Sequence, residues 1–166
     1  MTPLILGIDP GVSGGIAFLD PARPLDAPDV ASVYTMPTIR AARGTTALDV
    51  NVEKLAKLIK CTLNGVSLAF VEQVTSRPRQ AGQFAFGVNY GRVLGMLEAL
   101  GIPTTHVAPS KWKQELGLRG EDKSMSVALA AELFPALRSQ FFGLRGAGLD
   151  GRAEALLIAY YGSKKL

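Results

Sequence analysis

Apolar and polar positions along this chain follow two rhythms, and the switches between them mark out short elements. Leu4–Asp9 is an apolar run closed by an acid and a Pro-Gly pair, the pattern of a buried strand stopped by a turn. Gly11, Gly14 and Gly15 make that turn, and Gly15–Leu19 leaves it as a second strand, giving a hairpin. Asp20 to Asp29, with three prolines and three acids, reads as a surface connection, and Ser32–Met36 alternates weakly and could form a third strand. Over Asn51–Thr62 the rhythm changes: Val52, Leu55, Ala56 and Ile59 recur at helical spacing, with Lys54, Lys57 and Lys60 off that stripe. Ser67–Val71 is a second buried strand, ending at Glu72. Gln83–Leu100 fits a long helix stopped by Gly101, followed by a short strand over Pro103–Val107. Pro109–Leu116 and Lys123–Leu133 read as helices, the second ended by Phe134-Pro135, and Asp150–Tyr161 as a last helix stopped by Gly162. The order βββαβαβααα predicts an α/β fold with a mixed sheet, antiparallel at its start and parallel where helices intervene.

Composition narrows the class. The chain has 166 residues, 48% of them apolar and 19% charged, which suits one domain over 1–166 with a sizeable core. The one cysteine, Cys61, excludes an internal disulfide, makes a cysteine-built zinc site untenable and is expected to be a small buried hydrophobe. No apolar run approaches the ~20 residues of a membrane span, and the N-terminus lacks the pattern of a signal peptide. The expectation is a soluble intracellular protein with no membrane partner. A net charge of +4 and a pI near 9.4 are compatible with a nucleic-acid partner without requiring one.

The acids add more. Asp9 and Glu72 each end an apolar strand, and ligand sites in open α/β sheets gather at the carboxyl ends of strands. A carboxylate at such a place is costly unless it is solvated or bound to a cation. Asp150 and Glu154 stand four apart at the start of the last helix and share a face. For Asp150 two readings compete, an acid favoured by the helix dipole and a member of an acidic site. Four acids converging on one sheet edge would repel one another, and divalent cations relieve that repulsion. Oxygen-only ligands suit Mg²⁺ or Mn²⁺. Two such ions about 4 Å apart can activate a water and stabilise the leaving oxygen in phosphodiester hydrolysis.

Four segments carry a family resemblance. GIDPGVSGGIAF (Gly7–Phe18), AFVEQV (Ala69–Val74), APSKWK (Ala108–Lys113) and DGRAEALLIAYYG (Asp150–Gly162) resemble, in that order, the RuvC-type Holliday-junction resolvases of the ribonuclease H-like superfamily. The likeness leans to the chloroplast resolvases and their bacterial and phage relatives, which share the Trp-Lys and GRAEALLIA elements. It implies a ribonuclease H-like fold with a five-stranded mixed sheet flanked by helices. It also implies a homodimeric endonuclease that uses two Mg²⁺ ions, with Mn²⁺ as substitute, to cut opposed strands of a four-way DNA junction. Such an enzyme would be cytoplasmic and DNA-associated in a bacterium or phage, or organellar after loss of a transit peptide. Carried over by position, Asp9, Glu72, Asp150 and Glu154 match the catalytic, metal-binding acids, and Lys113 a lysine beside the scissile phosphate. The chain departs from bacterial RuvC in two places. There the last two acids stand three apart, which would put the earlier one at Gly151, and an aromatic follows the EQV segment where this chain has Thr75. The nearest replacements for that stacking aromatic are Phe84 and Phe86.

With four acids set aside as ligands, the charge balance of the remainder rises from +4 to +8. Arg77, Arg79, Arg92, Lys111, Lys113, Arg119 and Lys123 crowd the middle of the chain, where they can neutralise phosphates. Arg77, Arg79, Gln80, Gln83, Phe84, Lys111, Lys113 and Lys123 are the expected DNA contacts. Trp112 reads as packing and His106 as a satisfied structural histidine. Phe141-Phe142 suits either core or dimer surface. Gly87, Gly91 and Gly95, four residues apart on the long helix, suit either a close helix–helix seam between subunits or packing on the chain's own sheet. Rival functions are a nuclease for RNA–DNA hybrids, a binding module without catalysis, and an ATP-binding domain of the actin and sugar-kinase type. The last shares the Gly-Ile-Asp-x-Gly hairpin but needs two such domains, and no second glycine-rich hairpin is present.

Overall fold

In the computed structural model, which describes residues 3–41, 46–62, 65–74, 82–118 and 122–166, the N-terminal apolar run forms strand β1 (Leu4–Asp9). The glycine turn reverses it into β2 (Gly15–Leu19), and β3 (Ala31–Thr35) pairs antiparallel with β2. A separate two-stranded ribbon follows, β4 (Thr38–Arg40) against β5 (Leu48–Val50). Helix α1 (Val52–Lys60) opens on Asn51, whose side chain accepts from the Lys54 amide at 3.0 Å and satisfies one of the unpaired donors of the first turn. Strand β6 (Val66–Glu72) then enters beside β1 in parallel, and after α2 (Gln83–Ala99) strand β7 (Thr104–Val107) adds parallel to β6. The main sheet runs β3-β2-β1-β6-β7, antiparallel on the hairpin side and parallel beyond. Helices α3 (Pro109–Glu115), α4 (Lys123–Leu133) and α5 (Asp150–Ser163) complete the order.

Strand alternation sorts the core into two layers. Ile5, Ala17, Leu19 and Phe70 face α4 and α5, where they pack with Trp112, Phe134, Phe141 and Ile158. Leu6, Ile8, Ile16, Phe18 and Val71 face the other way, against Leu55 and Ile59 of α1 and Val93 and Leu97 of α2. Helix α5 lies directly on β1. A Cβ built at Gly7 would overlap the Ala155 carbonyl oxygen and reach 2.7 Å from the Ala159 amide nitrogen, so only glycine permits the approach. Gly7→Ala should therefore lower the unfolding free energy by about 3 kcal/mol, the upper range for overpacking, because the obstruction is backbone and cannot rotate aside. Urea denaturation measures this, and a loss below about 1 kcal/mol would contradict the fit.

Several expectations need correction. The β4–β5 ribbon is absent from the hydrophobic pattern because three-residue strands are too short to show an alternation. Phe134-Pro135 does end α4, but Pro135 starts a 3-10 stretch over Pro135–Phe141, since its fixed φ suits a first helical position. Gly162 does not stop α5, which continues to Ser163. Its glycine serves packing, because a Cβ there would overlap the Phe70 ring. Cys61 is exposed rather than buried; it caps the C-terminus of α1, two residues past the end of the apolar stripe at Ile59. Phe141 is wholly buried, so the Phe141-Phe142 pair belongs to the core.

Candidate active site

The alternation that sorts the core also places the acids. Ile5 and Gly7 face α5, so Asp9, two residues on, faces the same layer from the end of β1. On β6, Leu68 and Phe70 face that layer too, and Glu72 follows in the same phase. The last registered pair between these strands is Ile8 with Val71, so Asp9 and Glu72 stand one step beyond it on adjacent parallel strands. Sheet geometry alone thus brings two carboxylates to one end of one face. The Gly11 amide reaches back to Asp9 Oδ1 at 3.4 Å across the turn.

Helix α3 meets these acids from β7. The Trp112 indole Nε1–H donates to Glu72 Oε2 at 2.7 Å, and the next residue, Lys113, brings its Nζ to 2.9 Å from Glu154 Oε1. The Lys113 ammonium also sits 5.1 Å from the centre of the Trp112 ring. Glu154 is a buried charge, its side chain only 6% exposed, and it accepts a second hydrogen bond from the Ser126 hydroxyl of α4 at 3.1 Å. A buried carboxylate needs such partners, because desolvation otherwise outweighs what it gains.

Asp150 opens α5, with Leu149 rather than Asp150 at the N-cap. The start of that helix rests on the β1–β2 turn, where a Cβ at Gly151 would stand 2.5 Å from the Ser13 carbonyl oxygen. No side chain fits at 151. Asp150, one residue earlier, is the acid in the first turn of this helix. Arg152, two residues on, crosses to Thr35 Oγ1 at 2.9 Å and to the Gln140 carbonyl at 3.2 Å, tying the helix start to β3.

The basic residues are less gathered. Arg77, Arg79, Gln80 and Arg119 lie outside the described residues, and of Lys123 only the backbone at the start of α4 is described. Lys111 is exposed on α3. Gln83 opens α2 half-buried, and Phe84 beside it is 87% exposed. Phe86 lies at the same end, its Cε2 3.5 Å from where a Gly11 Cβ would stand. Arg92 is engaged 3.3 Å from Asp49 of the ribbon. His106 pairs through Nδ1 with the Tyr90 hydroxyl at 2.7 Å, and burial pushes the Tyr90 phenol above its ordinary range. Asp122 caps α4, and hydrogen bonds from Ser124 hold its carboxyl below the usual value.

The donor chemistry of Asp9, Glu72, Asp150 and Glu154 is oxygen throughout and suits hard divalent cations. Among the described residues, no group of three or more His, Cys, Asp or Glu side chains is gathered tightly enough to hold an ion. Like charges separate unless a cation lies between them, and here the cation against Glu154 is Lys113. Trp112 and Ser126 are the residues that the linear pattern does not mark as polar partners. Their signal is faint: a buried indole always seeks an acceptor, and Ser126 is a hydroxyl at a buried position beside Val127.

No protein-family model matches the chain. Over 70 residues, 42% of its length, it is 41% identical to the chloroplastic Holliday junction resolvase MOC1 of Chlamydomonas reinhardtii, and it spans only 8% of that protein. Among solved structures it is similar to Thermus thermophilus RuvC in complex with Holliday junction substrate, with a TM-score of 0.59 and 16% identity, covering 95% of this chain and 91% of that one. A second Thermus thermophilus RuvC structure matches with a TM-score of 0.51 and 14% identity over 98% of this chain and 96% of the other. The chain therefore has the RuvC fold, a ribonuclease H-like α/β arrangement built on a five-stranded mixed sheet.

Proposed function

We propose that this protein is a divalent-metal-dependent endonuclease that resolves four-way DNA junctions by paired, symmetric phosphodiester hydrolysis. The observation that carries the reading is the meeting of Asp9 and Glu72 at one end of one sheet face, with Glu154 and Lys113 beside them on helices packed against that face. The RuvC fold and the local likeness to a chloroplastic resolvase support it.

Asp9, Glu72, Asp150 and Glu154 would hold the ions, two Mg²⁺ per site with Mn²⁺ as substitute. Bound there, the metal would supply charge for the attacking water and the leaving oxygen. The chain's own residues do the rest. Glu72 and Glu154 are held in place by hydrogen bonds from neighbouring helices, and Lys113, within reach of the same edge, offers its ammonium to the scissile phosphate. Arg77, Arg79, Gln80, Gln83, Lys111 and Lys123 would grip the flanking backbone, and the exposed Phe84 would stack at the junction. The protein works in association with DNA. Among the described residues, no helix is long and apolar enough to cross a membrane.

The test is incubation with a synthetic four-way junction, a linear duplex and an RNA–DNA hybrid, each with Mg²⁺, with Ca²⁺ and without divalent ion. Cutting of the junction alone, in Mg²⁺, is expected. Ca²⁺ takes longer, looser oxygen shells, so it should support binding without cutting, and Glu72→Gln should bind without cutting even in Mg²⁺. Brisk cleavage in Ca²⁺ alone would contradict the two-metal reading, and preferential cutting of the hybrid would move the substrate to RNA–DNA duplexes.

The protein is proposed to act as a homodimer, because paired cuts on a two-fold junction need two sites related by a two-fold axis. Helix α2 supports this. Among the described residues nothing stands within 4 Å of a Cβ built at Gly87, Gly91 or Gly95, so the glycines do not pack on the chain's own sheet. Val88 on the same helix is 41% exposed. Gly91→Arg should convert a dimer into an ~18 kDa monomer in sedimentation while leaving the thermal midpoint of the subunit near the parent's. A wild-type monomer at micromolar concentration would remove the dimer.

A further inference from the structure

We propose that Trp112 and Ser126 are positioning residues of the acidic site, two uncharged donors that fix Glu72 and Glu154 in the orientation needed to take a divalent cation. The proposal rests on the metal-nuclease reading and deepens it, by naming the groups that orient two of its carboxylates.

The geometry is specific on both sides. Trp112 is wholly buried, and an indole N–H has one hydrogen to give. A buried indole usually finds a backbone carbonyl or a hydroxyl. Here it spends its one bond on the carboxylate that ends β6, at 2.7 Å and forty residues away in sequence. Charge assistance makes this a strong bond, and its acceptor stands at the end of a sheet strand rather than in a loop. Ser126 is 2% exposed, and its hydroxyl reaches across the α4–α5 seam to Glu154 Oε1 at 3.1 Å. Lys113 Nζ meets the same oxygen at 2.9 Å. Three side chains from two helices thus address the two carboxylates, and consecutive residues of α3, Trp112 and Lys113, address one each.

A carboxylate that binds metal keeps its affinity only when its free rotation is restrained, and loss of an outer hydrogen-bond partner commonly weakens metal binding or activity by ~10- to 100-fold. An uncharged donor suits this task better than a second cation, because it orients the carboxylate without neutralising it. Lys113 is a counter-charge that a divalent ion can displace from Glu154. Ser126 and Trp112 carry no charge to displace, so their bonds persist when the cation changes.

Manganese binding to the DNA-free protein, followed by electron paramagnetic resonance, separates positioning from plain packing. Ser126→Ala should weaken Mn²⁺ affinity ~10- to 100-fold, with a thermal midpoint within a few degrees of the parent, and Ser126→Thr, which keeps the hydroxyl, should recover most of the loss. Trp112→Phe should weaken Mn²⁺ binding to a similar degree. Because that change also opens space in the core and can prevent folding, the Ser126 pair decides the matter. Ser126→Ala folding like the parent and binding Mn²⁺ like the parent would overturn the proposal, as would a lowered thermal midpoint with unchanged affinity. A parent protein that binds no Mn²⁺ and cuts no junction would overturn the metal-nuclease reading, and the positioning roles with it.

Discussion

Asp9→Asn should bind a four-way junction at least as tightly as the parent while its single-turnover cutting rate falls ~10³-fold or more, equivalent to about 4 kcal/mol of transition-state stabilisation. The substitution keeps size and shape, and the amide oxygen can still accept from the Gly11 amide across the turn. The β1–β2 hairpin should therefore close as before. What changes is charge. One of two carboxylates at the adjacent strand ends becomes neutral, which weakens any hold on a divalent cation and lessens repulsion against approaching phosphate. Binding and catalysis thus move in opposite directions, which is hard to obtain from a folding defect. Gel-shift titration beside quenched-flow cleavage at saturating enzyme measures both. A variant that cuts near the parental rate would place the chemistry elsewhere.

How much of this was legible in the sequence differs from element to element. Strands β1 and β2 are readable to the residue, because buried strands write continuous apolar runs and the intervening glycines can only be a turn. For the same reason Asp9 and Glu72 are recognisable as strand-end acids. Their common face follows from alternation, but their adjacency needs β6 to pair with β1 in parallel, and no local pattern encodes which strands meet. Glu154 sits on a helix that is apolar almost all round, so the pattern marks it as an acid on a buried helix but does not show which groups meet it. Partners twenty-eight and forty residues distant, Ser126 and Trp112, belong to tertiary packing alone. The glycines divide in the same way. Gly162 looks like a helix stop until Phe70 is seen to occupy the space beside it, whereas Gly91 and Gly95 prove to face outward. A glycine in sequence signals freedom or closeness, and only the fold says which.

Lys113→Ala should produce two losses with different cures. The first is kinetic. A preorganised cation beside the developing charge of the transition state typically contributes ~10²-fold, so saturated cutting should slow by about that factor. The second is structural. Glu154 has a side chain only 6% exposed and its ammonium partner lies 2.9 Å away. Removing one member of such a pair strands the other, at a cost of up to about 3 kcal/mol at low divalent concentration. Mg²⁺ or Mn²⁺ bound among the acids should replace the missing positive charge and recover the stability, but it cannot recover a lysine that acts on the phosphate. Thermal melts of Lys113→Ala should therefore rise with added divalent ion more steeply than those of the parent, while its cutting rate stays low at every metal concentration. Lys123→Ala, at the start of α4, should instead weaken junction binding and reduce the salt slope by about one unit, the signature of a single phosphate contact. If high Mg²⁺ restores both stability and rate to Lys113→Ala, the lysine serves only to balance Glu154 and takes no part in the chemistry.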